Sequence, residues 1–74
     1  MERHERYSNL LAEIKRANLT VKQVADAMGI SVSAYYSRVS GTIKFRLTDM
    51  TAIQDLLERT TGQRLSLDYL FKYD

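Results

Sequence analysis

Apolar residues recur along this chain at intervals of three and four, the spacing of one face of a helix. Tyr7, Leu10, Leu11, Ile14 and Ala17 form the first stripe and predict a helix over about residues 5–17. Lys15 and Arg16 suit its negative end. A second helix starts at Thr20, where Thr20 and Gln23 have the spacing of a capping box. Val21, Val24, Ala25 and Met28 continue it, and Gly29 can take the left-handed conformation that ends it. Ser31 can cap a third helix, which Gly41 stops. After the loop TIKFR, Leu47, Met50, Ile53, Leu56 and Leu57 give the inner face of a fourth helix over about residues 48–60. Asp49 suits its positive end, and Gly62 ends it. A short fifth helix over residues 66–71 carries Leu67, Leu70 and Phe71. Strand signals are poor, there is no proline, and no repeat or flexible linker divides the chain.

Residues 1–74 are therefore expected to form a single all-α domain. Its hydrophobic content of 45% fits a globular chain, and 74 residues lie near the lower limit for a self-sufficient core. The absence of cysteine excludes a disulfide framework and fits a reducing compartment. The charged start MERHERYSNL does not read as a secretory signal, and no apolar run is long enough to span a membrane. The expected location is the cytoplasm.

Charge changes the picture more than composition does. The net charge is only +2, but residues 15–46 hold Lys15, Arg16, Lys22, Arg38, Lys44 and Arg46 against Asp26, a local net of +5. Residues 1–14 carry −1 and residues 47–74 carry −2. A basic middle can engage phosphate while the remainder stays acidic. An unevenly charged solvated surface is the plainer alternative.

Helices two and three, over about residues 20–40, are separated only by a tight glycine turn, the helix-turn-helix pattern. Ala25 is small enough for the third helix to cross closely, and Val24, Met28, Ile30 and Tyr35 can pack the pair. LTVKQVADAMGISVSAYYSRVSG resembles the helix-turn-helix of the lambda-repressor and Cro superfamily. The similarity is strongest to small phage-type regulators, through Gly29, Ile30, Ser31, Ser33, Tyr36, Gly41, Phe45, Leu47, Asp49 and Met50. It extends over about residues 10–71, including the closing LSLDYLF. The resemblance implies a five-helix lambda-repressor-like DNA-binding domain, a double-stranded operator as partner, and a homodimer on near-palindromic DNA. Two residues depart from it. Val21 stands where many relatives place a phosphate-contacting glutamine, and Val32 where many place a long polar base reader.

On a helical wheel, Tyr35 and Val39 point inward and Ser33 and Ser37 point away, with Tyr36 and Arg38 on the flanks. Val32, Ser33, Ser37 and Arg38 are the candidate base readers, with Arg38 able to pair with guanine and Val32 able to offer a methyl contact to thymine. Thr20, Lys22, Gln23, Tyr36, Thr42, Lys44 and Arg46 are the candidate backbone contacts, Tyr36 and Arg38 can each reach phosphate or an outer base, and Arg38 can instead sit in a surface ion pair. Thr20 and Gln23 can instead be only caps, and Arg46 can pair with Asp49 at the surface. Tyr69, Phe71 and Tyr73 can fill the core or form an exposed dimer patch.

Catalysis is not expected. His4 is the sole histidine, no metal-ligand spacing appears, and no glycine-rich phosphate loop precedes a helix, so no cofactor is implied. The expected function is transcription regulation of Cro or repressor type in a bacterial host. The rival is an antirepressor that binds a cognate repressor protein to control a lysis–lysogeny switch. It is suggested by the low net charge, by Val21 and Val32, and by two tyrosines beside the reading face. A toxin–antitoxin antidote is a weaker third reading, lacking an evident toxin-wrapping tail.

Overall fold

A computed structural model describes residues 6–73. Five helices follow in order: α1 (Ser8–Arg16), α2 (Val21–Met28), α3 (Val32–Val39), α4 (Leu47–Thr61) and α5 (Leu67–Leu70). The described residues contain no strand. Helix α2 packs on both α3 and α4, while α5 closes against α1 and α4.

The helix ends follow local chemistry. The Thr20 hydroxyl accepts from the Gln23 backbone N–H at 3.1 Å, and the Thr20 N–H donates to Gln23 Oε1 at 2.8 Å. This reciprocal pair is the expected capping box. Gly29 ends α2 with φ +73°, a conformation that a side chain disfavours. Ser31 caps α3 through the Ala34 N–H at 3.1 Å, so only the turn at Gly29 and Ile30 separates the two helices.

The start of α1 differs from expectation. Glu5 lies outside the described residues, and α1 begins at Ser8 because Tyr7 has φ +61°, in the left-handed region. This conformation costs about 1 kcal/mol or more for a non-glycine residue. Its ring is nonetheless buried, edge-on to Phe45 and Tyr73 at 5.1 Å and to Phe71 at 6.3 Å. Packing thus holds a backbone that the helical ladder does not.

Leu10, Ile14, Val24, Ala25, Tyr35, Ile53, Leu57 and Leu70 make up most of the core, with members from every helix. Partly buried Val21, Met28, Ile30, Val32 and Val39 extend it around the helix-turn-helix. Burying these side chains contributes roughly 1.5–3 kcal/mol for each large aliphatic residue, so α3 is held as a firm rib with one side committed inward.

Candidate nucleic-acid interface

Helix α3 turns Tyr35 inward, 2% exposed, and leaves Ser33 and Tyr36 at the surface with Ser37 half-buried between them. The exposed face is therefore Ser33–Tyr36–Ser37, extended one turn on by Ser40. Tyr36 is 54% exposed and rises above the short serines. Its ring meets buried Tyr35 at 5.5 Å in an edge arrangement, which supports it from below. Val32 is half-buried against the core, so only part of its side chain remains at the surface.

Arg38 requires a correction. It was expected on the flank of the outer face as a base reader. It is instead 9% exposed, and its Nε donates to Asp49 Oδ2 at 3.0 Å while Nη1 donates to the Ala34 carbonyl at 3.0 Å. The reason is positional. Arg38 follows inward-facing Tyr35 by three residues and so shares its side of the helix. Asp49 opposite is 1% exposed and needs a cation. Arg38 ties α3 to the start of α4 and is not available to bases.

Asp49 also engages Arg46. Oδ2 accepts from the Arg46 backbone N–H at 3.0 Å and from Arg46 Nε at 3.3 Å, and Oδ1 accepts from Arg46 Nη2 at 3.1 Å. Burial pushes the Asp49 carboxyl up, but the hydrogen bonds from Arg46 and Arg38 outweigh it and hold the group below its usual range. The Arg46 side chain remains 62% exposed. The expected Arg46–Asp49 pair is present, with a buried rather than a surface carboxylate.

The other candidate cations divide similarly. Lys22 donates to Asp26 at 3.0 and 3.1 Å, in a pair exposed on both sides. Such pairs contribute at most about 1 kcal/mol and are readily exchanged. Lys44 is exposed and has no ion-pair partner among the described residues. Thr42 Oγ1 lies 3.1 Å from Ser40 Oγ, and the Ile43 N–H donates to the Ser37 carbonyl at 3.0 Å. These contacts fold the loop back onto the end of α3. Thr20, Lys22 and Gln23 thus sit at the start of α2, Ser33, Tyr36 and Ser37 on α3, and Thr42, Lys44 and Arg46 in the loop between α3 and α4.

The Arg38–Asp49 pair was not legible in the sequence; the three-residue offset from Tyr35 indicates which side of α3 Arg38 shares, but not its partner. Nor was the role of Glu13 legible. This buried carboxylate on α1 accepts from Tyr69 Oη at 2.7 Å and from Arg16 Nη1 at 2.6 Å, joining α1 to α5. Tyr69 therefore serves a tie between helices, while Tyr73 is half-exposed and Phe71 half-buried. His4 lies outside the described residues.

A capped helix, a glycine turn and a second helix with one polar face define a helix-turn-helix protein of all-α architecture. The family model described as Helix-turn-helix matches residues 10–70, and the chain belongs to that lambda-repressor/Cro-like family. The family is one of DNA-binding regulatory domains that bind double-stranded DNA, and it is not enzymatic. No curated protein and no solved structure matches the chain. No helix among the described residues is long and apolar enough to cross a membrane.

Proposed function

We propose that this chain is a sequence-specific regulator of phage or prophage Cro or repressor type, acting in the cytoplasm of a bacterial host. The carrying observation is the Ser33–Tyr36–Ser37 face, left exposed on a helix whose other side is locked into the core. As a homodimer it places two copies of α3 in successive major grooves, about 34 Å apart on a near-palindromic operator. Ser33, Ser37 and the exposed part of Val32 touch base edges. Tyr36, the longest side chain on that face, takes the outer base contact. Lys22, Thr42, Lys44 and Arg46 hold phosphate, with Thr20 and Gln23 presenting the N-terminus of α2.

An electrophoretic shift on DNA flanking the protein's own gene tests this reading. A complex at low salt that survives excess scrambled competitor supports it, and failure to form any sequence-selective complex overturns it.

A second reading, an antirepressor that binds a cognate repressor, is favoured by one observation. Tyr36, Ile43 and Leu47 are 54%, 46% and 64% exposed, bringing apolar surface to α3, to the loop after it and to the first residue of α4, where Leu47 was expected to face inward. Co-purification with a repressor encoded nearby, in the absence of DNA binding, would favour this reading instead.

A further inference from the structure

Residues of the loop after α3, of α4 and of both ends of the described chain line a cavity of about 480 Å³. Tyr7, Phe45, Phe71 and Tyr73 supply ring surfaces, and Met50 and Lys44 complete most of the lining. Phe45 and Phe71 meet edge-on at 5.0 Å, and Tyr7 binds the set together through its contacts with Phe45, Phe71 and Tyr73. The cavity is thus walled by a mutually braced aromatic cluster. Gly41 forms part of the wall, where a Cβ would lie only 2.8 Å from Tyr73 Oη. Its volume lies within the roughly 300–1,000 Å³ occupied by small-molecule sites.

Two cations border these rings. The Arg6 guanidinium stands over the Tyr73 ring, 5.0 Å from its centroid. Lys44 lines the cavity and has no ion-pair partner among the described residues. Aromatic walls with a lining lysine that has no ion-pair partner among the described residues complement a flat ring bearing an anionic group.

We propose that this cavity binds a planar aromatic carboxylate, its ring among Tyr7, Phe45, Phe71 and Tyr73 and its carboxylate on Lys44. Binding has a consequence for DNA. Lys44 is also one of the proposed phosphate contacts, so a carboxylate on its ammonium competes with the operator backbone. Occupancy then weakens DNA binding, and DNA weakens ligand binding by the same factor. This coupling rests on the function proposed above, whereas the binding itself does not.

The test uses the whole chain without DNA, titrated with indole-3-acetate and followed by amide chemical shifts. Neutral indole-3-acetamide is the isosteric control. At about 1 mM ligand, shifts are expected to concentrate at Gly41, Lys44, Phe45, Met50, Phe71 and Tyr73, with the acetamide bound roughly tenfold more weakly. Lys44→Met should reduce the acetate to the affinity of the acetamide while preserving spectral dispersion. Absent or scattered shifts, or equal affinities for the two ligands, overturn the site. A second arm measures DNA affinity with and without indole-3-acetate. A several-fold loss supports the coupling, and ligand binding with unchanged DNA affinity overturns it. If no DNA complex forms even without ligand, the coupling and the DNA-regulator reading both fail while the cavity result stands.

Discussion

Asp49 holds two arginines at once, and they differ in what they can give up. Arg38 is buried against it, whereas Arg46 can leave for a phosphate with Asp49 still paired to Arg38. Arg38→Ala strands a buried carboxylate with one remaining partner and should cost about 3 kcal/mol, read by urea denaturation. Arg46→Ala should cost much less stability and weaken binding to all DNA sequences alike. The pH dependence follows from the same group. The folded Asp49 and Glu13 carboxyls are both held below their ordinary values, Glu13 chiefly by the Tyr69 hydrogen bond. Their stabilisation is therefore full above the ordinary carboxylate range and is lost as pH falls through the folded values. Asp49→Asn should flatten the decline in stability below about pH 4, measured by denaturant midpoints across an acid series. The sequence indicated that Asp49 and Arg46 would be neighbours. It did not reveal Arg38 as the third member, because α3 and α4 meet across a loop and local spacing carries no information about that approach.

The helices were legible wherever a terminus had its own chemistry. Thr20 with Gln23, Gly29 and Ser31 mark three ends of the helix-turn-helix, and the structure uses each of them as capping rules require. Thr20→Ala should remove the hydroxyl half of the box and cost about 1 kcal/mol, with the loss visible as a lower denaturant midpoint. The start of α1 was less legible. Apolar period correctly placed Tyr7 inside, but period reports which side chains are buried and not the backbone that delivers them. A left-handed turn at Tyr7 delivers its ring against Phe45, where a helix over about residues 5–17 was expected to carry Tyr7 on its apolar stripe.

The whole molecule has a weaker basic field than its middle segment suggests. Glu13 and Asp49 lie outside or beyond the acidic count of residues 15–46, yet they pair with Arg16, Arg38 and Arg46 from within it. Counting them lowers the local net from +5 to +3. With Lys22, Lys44 and Arg46 as the proposed phosphate contacts, the logarithm of DNA affinity should fall with the logarithm of salt at a slope of about −3 per protomer. Fluorescence anisotropy across a salt series measures it. In the proposed function the exposed face of α3 then supplies the selectivity that charge does not. The most direct measurement is the ratio of affinities for a selected operator and scrambled DNA, compared between the wild-type chain and Tyr36→Ala. A ratio reduced about tenfold is expected, with scrambled-DNA affinity and thermal midpoint nearly unchanged. A ratio that survives Tyr36→Ala, and also survives its combination with Ser33→Ala and Ser37→Ala, would contradict the assignment of sequence reading to this face.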